Sequence, residues 1–501
     1  MAIRQRNRRK GTMNVQQETA PLIASNPKRS AEYPSKDSKC GFAKVCLIFI
    51  LALLLCASVG VGLIITYTWF EHHVNHVCHD QCRFQLVESI PENLTYAANE
   101  TIHMPTDEAL MKLILSANET IEIAAYYWTL RTNDLPDHDN SSRVGQLLFN
   151  TLMKIGKEKK VKIRIVQNIP DYSHPQHDSE YLKKYAHAEV RNLNVARLVS
   201  AGILHTKMWL IDRKSYYVGS ANCDWRSLTQ VKEMGVLVEN CSCLATDIGK
   251  IFDAYWYLAQ DDVTIPGTWP KSYNTVINDG TPEVVSYNGG NDTKALVYMS
   301  SSPPQFCPAG RTGDIDAILA VIRAAKRFVY VAVMDYLPMI AYSEPRKFWP
   351  IIDDALRYAA INRNVTVRML GSKWPHTDED MPTFLRSLLT VSDVCCPDIK
   401  LEVKMFEVPA FTPAQAEIPF ARVNHNKYMV TDQHAYIGTS NWYGDYFKYT
   451  AGIGFVLAPS NTSSNDYIRQ QLEDVFLRDW NSQYSQPLEG VAPKNCSDPR
   501  C

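Results

Sequence analysis

The chain has almost no surplus of either charge: 52 Lys and Arg stand against 53 Asp and Glu, a formal net charge of −1. That balance excludes a nucleic-acid binder working through its global field, so any anion recognition must be local. Short solenoid repeats, with periods of roughly 20–50 residues, are missing, which excludes a repeat array. Low-complexity runs are few, and 46% of the 501 residues are hydrophobic and 10% aromatic, a folded composition sufficient for two ordinary domains or one large one. Two close cysteine pairs, Cys78/Cys82 and Cys241/Cys243, lack any histidine at zinc-ligand spacing. They are able to bridge to each other, in a pairing the sequence does not specify.

Charge is also missing from one long stretch. Val45 to Phe70 is an almost unbroken apolar run, longer than the roughly 20 residues that cross a bilayer. It follows a 44-residue polar lead, whereas the core of a cleaved signal peptide is shorter and lies nearer the N-terminus. Residues 1–44 hold ten Lys/Arg against Glu18, Glu32 and Asp37. The positive-inside rule therefore puts this tail in the cytosol and everything after Phe70 in the lumen, a type II single-pass arrangement with Trp69 as interfacial anchor. Glycosylation acceptors fall on the lumenal side alone: Asn93, Asn99, Asn118, Asn140, Asn240, Asn291, Asn364, Asn461 and Asn495. Ten of the 13 cysteines lie there too, an even number suited to an oxidising compartment. In the tail, Glu18 followed by Leu22 and Ile23 resembles the acidic dileucine signal read by endolysosomal sorting adaptors.

Beyond the apolar run, one long duplication organises the chain. A helical stretch from Asp107 leads to the strand IEIAAYYW, then VKIRIVQN, a segment opening at His205, the strand MGVLVEN and a helix LATDIGKIFDAYWYL. The second half repeats the order with DIDAILAVIRAAK, FVYVAVMDYLP, VTVRML, a segment opening at His425, GIGFVLA and a helix ending in DVFLRDW. Phe252 and Trp256 are mirrored by Phe476 and Trp480. Helices alternating with β-branched apolar strands predict an α/β fold, two tandem sandwich halves with largely buried sheets and a pseudo-twofold relation. The expected organisation is a tail over 1–44, an anchor over 45–70, a first half over 71–264, a Pro/Gly/Asn-rich joint over 265–291 and a second half over 292–501.

The duplicated segments read HTKMWLIDRKSYYVGSAN, ending at Asn222, and HNKYMVTDQHAYIGTSN, ending at Asn441. His and Lys two residues apart on a strand share a face, and a hairpin brings the Asn back beside them. Two such sets around one point supply His205, Lys207, Asn222, His425, Lys427 and Asn441. Lys and Asn donors suit the oxygens of a phosphate and its more charged transition state. One imidazole attacks phosphorus while the other protonates the leaving oxygen, and the Lys pair supplies the positive charge without a metal or cofactor. Asp212 and Asp432 follow their His by an odd offset, so they read as buried structural partners. Cys223 reads as a packed thiol. Trp225 and Trp442 flank the motif Asn residues, where stacking on a base and core packing are equally consistent.

These segments resemble the HxKxxxxD…GSxN motif of the phospholipase D superfamily, whose members are built from two such halves. The second copy has one residue fewer between Asp432 and Gly438. The surrounding residues, including GSANCDWRSLTQVKEMGV, NCSCLA and RVNHNKYMVT, together with the type II anchor, resemble in particular the endolysosomal 5′-3′ exonucleases of that superfamily, members three and four. The resemblance implies His205 as nucleophile and His425 as proton donor, with the exchange of roles left open. It implies phosphate binding by Lys207, Asn222, Lys427 and Asn441; Trp442 is expected as a further substrate contact only from its place beside Asn441. It also implies that Glu233 orients a catalytic His, whereas Tyr449 stands where the second copy would carry its carboxylate.

The activity so implied is lysosomal 5′-3′ exonucleolytic cleavage of single-stranded DNA and RNA through a phosphohistidine. The protein would reach the late endosome and lysosome by way of the endoplasmic reticulum and Golgi, with a soluble lumenal form and a homodimer left open. An acidic compartment favours the protonated leaving-group His. Two other readings stand beside it. One is a phospholipase D or transphosphatidylase acting on lysosomal phospholipids; the other is an inactive membrane glycoprotein scaffold, against which the intact His, Lys and Asn of both copies argue.

Overall fold

The computed structural model describes residues 77–132, 140–158, 161–288, 294–342, 345–393, 399–460 and 467–488. The apolar run Val45–Phe70, the sorting signal at Glu18, Leu22 and Ile23, and the sequons at Asn291, Asn461 and Asn495 lie outside these residues. Among the described residues no helix is long and apolar enough to cross a membrane. The six described sequon asparagines, Asn93, Asn99, Asn118, Asn140, Asn240 and Asn364, are all exposed.

The duplication is written into two sheets with one strand order. In the first, Glu189–Leu193, Lys162–Asn168 and Thr120–Ala125 run parallel, followed antiparallel by Met208–Ile211, Ser215–Gly219, Glu233–Glu239 and Val77–Ser89. The second repeats this with Leu401–Glu407, Thr366–Lys373, Phe328–Val333, Lys427–Thr431, Ala435–Gly438, Gly452–Pro459 and Lys294–Ser302. Parallel neighbours need crossover helices. These are Arg143–Glu158 and His177–Tyr185 in the first half, Ile351–Arg363 and Met381–Asp393 in the second. The expected joint carries a strand of its own. Glu283–Tyr287 pairs with Val77–Ser89 and with Lys294–Ser302, so the two sheets are continuous across it.

Strand alternation explains how the sheets are covered on both faces. Met208, Leu210, Tyr216 and Val218 point into the same core as Tyr428, Val430, Ala435 and Ile437 of the other half. The intervening Trp209, Ile211 and Tyr217 enter an outer core of the first half; Met429 and Tyr436 enter that of the second. Helices Ser242–Leu258 and Tyr467–Asn481 fill the shared core, and their mirrored aromatics stack alike, Phe252 on Trp256 at 5.8 Å and Phe476 on Trp480 at 5.6 Å. Disulfides Cys78–Cys243 and Cys82–Cys241 tie the first strand to the start of the Ser242 helix. Beneath the shared core lies a fully buried ion network. Glu88 accepts from both terminal nitrogens of Arg478, and Lys232 lies 3.0 Å from Asp479 and 3.7 Å from Glu88. Charges so deep persist only because they are paired.

Candidate active site

Each motif histidine hangs on the opposite half. The backbone N–H of His205 donates to the Ala451 carbonyl, and that of His425 to the Lys232 carbonyl, both at 2.8 Å. Short bridges Leu204 to Ala451 and Lys232 to Asn424 flank these contacts symmetrically. The histidines thus precede their strands rather than lying within them. Lys207 and Lys427 stand at the strand entrances, each Nζ donating to the carbonyl of its own histidine at 2.7 and 2.9 Å. A hairpin follows each lysine and returns Asn222 and Asn441 to the same place, as the motif spacing implies. The residue missing from the second copy is lost from its turn. The longer first turn places Asp212 and Arg213 at φ 51° and 50°.

His205, Asn222, His425 and Asn441 line one cavity of about 970 Å³. Aromatic side chains from both halves, among them Tyr126, Tyr127, Trp128, Tyr443 and Tyr446, make up much of its wall. Tyr126 and Tyr446 flank His205 with ring centres 5.4 and 5.1 Å away.

The two histidines differ in their rear partners. His205 Nδ1 lies 2.8 Å from the Thr439 carbonyl. An acceptor there makes Nδ1 the protonated nitrogen and leaves Nε2 with a free lone pair. His425 Nδ1 lies 2.8 Å from the Glu233 carboxylate, which is fully buried. Glu233 therefore stands behind the second histidine and not behind that of its own half. The reason is topological, because its strand begins next to Lys232, where His425 is bound. Strand register equates Gly235 with Gly454, and hence Glu233 with Gly452 rather than with Tyr449. A side chain at Gly452 would have to displace the Ser440 hydroxyl. A Cβ there would lie 2.3 Å from Ser440 Oγ and 3.3 Å from Thr439 Oγ1.

Burial, then the charges of Lys207, Lys427 and His425, push His205 well below the usual imidazole range. Burial also pushes His425 down to about 4, against the opposing pull of Glu233. Lys207 is pushed down by burial and by Lys427; Lys427 falls to about 8 through burial, opposed by Glu233 and Asp335. Burial leads the depression of all four basic groups, and an anion bound among them would oppose it by favouring their charged forms.

Asp212 and Asp432 hold the chain rather than the chemistry. Asp212 accepts three backbone N–H groups, from Asn118, Glu119 and Thr120, and Asp432 accepts those of Lys326 and Arg327. Both residues are half-buried in turns, since each lies just past its strand. Cys223 is packed, and burial pushes its thiol up, away from reactivity. Trp442 is a correction. It is 1% exposed and sits in the outer core of the second half, because its position pairs with Tyr336 at the sheet end and points away from the cavity. Trp225 is buried as well.

Asp335 was not singled out by sequence reasoning. Its carboxylate accepts from Asn441 Nδ2 at 2.9 Å, and burial, opposed by Lys427, pushes it up to about 6. Register makes Tyr127 its counterpart, and the Tyr127 hydroxyl lies 3.4 Å from Asn222 Nδ2. Superposing YYW on MDY in the duplicated strands is the signal that would have found this pair.

Fold and paired His-Lys-Asn sets define a phospholipase D-type protein. The solved phosphatidylserine synthase of Haemophilus influenzae Rd KW20 shares the fold, with a TM-score of 0.51 at 10% identity over 76% of this chain and 85% of that one. The family described as PLD3/4, PLD-like domain, matches residues 97–411, and the chain belongs to it. The 5′-3′ exonuclease PLD3 of Bos taurus is 45% identical, covering 89% of this chain and 90% of its own. The 5′-3′ exonuclease PLD4 of Mus musculus is 40% identical, over 83% and 81%.

Proposed function

We propose that this protein is a phosphodiesterase that removes nucleotides from the 5′ end of single-stranded DNA or RNA. The observation that carries the chemistry is the convergence of His205, His425, Asn222 and Asn441 on one aromatic-walled cavity, with Lys207 and Lys427 at their bases. The names of the relatives support the substrate and polarity. Nε2 of His205 attacks phosphorus as the bond to the leaving oxygen breaks, and His425 delivers a proton to that oxygen. The resulting neutral His425 takes a proton from water, whose oxygen then displaces His205 from phosphorus. Lys207, Lys427 and the two Asn amides hold the equatorial oxygens. The carbonyl behind His205 suits a neutral nucleophile, and the carboxylate behind His425 suits a histidine that must carry a proton.

The same reading places a type II anchor over Val45–Phe70, the catalytic region in the lumen and delivery to lysosomes through the cytosolic tail. Full-length protein at about pH 5, offered 5′-hydroxyl single-stranded oligonucleotide and separately phosphatidylglycerol with a lipid alcohol, tests it. Nucleotide release that disappears in His205→Ala is the expected result. His205-dependent turnover of the lipid alone would overturn it.

A further inference from the structure

One segment of the second half is more tightly held than a surface loop requires. Residues 418–423 lead into His425, and Ile418 and Ala421 pack on the buried Trp225 of the first half. Arg226 Nε donates to the Pro419 carbonyl; Arg422 donates to the Pro409 carbonyl and to Gln230; Lys232 N–H donates to Val423. So braced, the chain holds Phe420 at φ 57° and Arg422 at φ 55°. A left-handed bulky residue is an outlier that persists only where its surroundings impose it, and such strain gathers at ligand sites. Its outcome here is the display of a phenyl ring that is 65% exposed.

That ring is not isolated. It stacks on His376 with centres 5.0 Å apart and planes 22° apart, and His376 in turn meets Trp374 at 4.7 Å. All three line the catalytic cavity beside His425. Resting on the nuclease reading, we infer that Trp374, His376 and Phe420 form a base-stacking ladder for the strand on the leaving-group side of the scissile phosphate. The side follows from the contacts around His425, the histidine that faces the leaving oxygen: its neighbour Asn424 donates its N–H to Ser372 Oγ, two residues before Trp374, and Val423 lines the cavity with the three rings. Every base offers a π-face, so the ladder grips without reading sequence, and a pre-ordered ring loses little freedom when a base lands on it.

The test uses two oligonucleotides that differ only in whether the nucleotide after the scissile phosphate has a base or is abasic. For full-length Phe420→Ala and His376→Ala, KM on the intact oligonucleotide is expected to rise about tenfold with kcat unchanged, since a stacked base contributes on that order. On the abasic oligonucleotide both variants should match the wild type, and Phe420→Trp should restore KM on the intact one. Equal KM values on the intact substrate, or an equal loss on both substrates, would overturn the ladder while leaving the nuclease reading in place. Failure of the wild type to cleave either oligonucleotide would remove that reading, and the ladder with it.

Discussion

In the first half the motif histidine backs onto a main-chain carbonyl; in the second it backs onto a carboxylate supplied by the first half. The frame of the site is kept in duplicate: lysine on histidine carbonyl, hairpin, asparagine, and the N–H bond to the other half. The groups that set proton affinity have diverged. The Thr439 carbonyl serves His205 as the Glu233 carboxylate serves His425, although register makes Gly452 the counterpart of Glu233, and Tyr127 occupies the position of Asp335. A phosphodiester cleavage treats its two ends differently, since one oxygen position is attacked and the other must be protonated. A symmetric frame with asymmetric backing is a physical answer to that requirement.

The sharpest way to break this comparison is to remove each histidine in turn. His205→Ala and His425→Ala should each lower kcat/KM by at least about 10⁴-fold. They should differ with a substrate whose leaving group, such as p-nitrophenolate, departs without a proton. There His425→Ala should accumulate acid-labile phosphoenzyme, while His205→Ala should form none. Label retained in His205→Ala would reverse the assignment of roles.

A second test addresses what joins the halves. Burial alone would raise the pKa of Glu88, but the hydrogen bond from Arg478 and the charges of Lys232 and Arg478 outweigh it and hold the carboxyl at about 2. A folded value below the unfolded one contributes stability above the unfolded pKa, and that contribution is lost as pH falls from about 4.5 to 2. Glu88→Gln should therefore lose about 3 kcal/mol at pH 7 and almost as much at pH 5, with the gap to wild type closing at lower pH. Thermal unfolding across that pH range measures it.

Glu233→Gln should cost about 100-fold in kcat. Glu233 raises the proton affinity of His425. Without that charge, His425 is protonated only at lower pH, and the alkaline limb of the rate profile moves toward acid. An unshifted limb with reduced kcat would make Glu233 a structural residue only.

The reach of the sequence follows from the range of the contacts involved. The repeated order of elements along the chain, the paired motifs and the helix-end aromatics were legible because each lies within a local segment whose pattern repeats. Asp212 and Asp432 were expected to be buried from an odd offset along one strand, but each strand ends before them, and they sit half-buried in turns accepting backbone N–H groups. The partner of Glu233 could not be assigned, since nothing local says that strand Glu233–Glu239 begins beside His425. Trp442 defeated the reading for a related reason. Proximity to a motif asparagine says nothing about which way the neighbouring side chain points, and here it points into the core. The crossover helices Arg143–Glu158 and Ile351–Arg363 went unread, although parallel pairing demands them. Phe420 lies in a loop with no periodicity, and its backbone angle is set by contacts with Trp225 and Gln230 far away in sequence.

The smallest effect concerns the other asymmetric pair and separates the halves by pH. Asp335 is pushed up to about 6, first by burial, with Lys427 opposing. A value near 6 makes it mostly neutral at pH 5, where it partners Asn441, and mostly ionised at pH 7, where it would set a negative charge beside a phosphate at the proposed site. Asp335→Asn should leave kcat/KM at pH 5 nearly unchanged and raise it at pH 7 by about fivefold, the scale of one partly screened neighbouring charge. Its alkaline limb should therefore move up, opposite to that of Glu233→Gln. Tyr127 is pushed far above the usual phenol range by burial and by Asp224, so it carries no charge change across this window. Tyr127→Phe should accordingly lower activity by the same small factor at both pH values, through the contact with Asn222 alone. If Tyr127→Phe acquires a pH dependence, or Asp335→Asn shows none, proton affinity is not what distinguishes the two halves at this position.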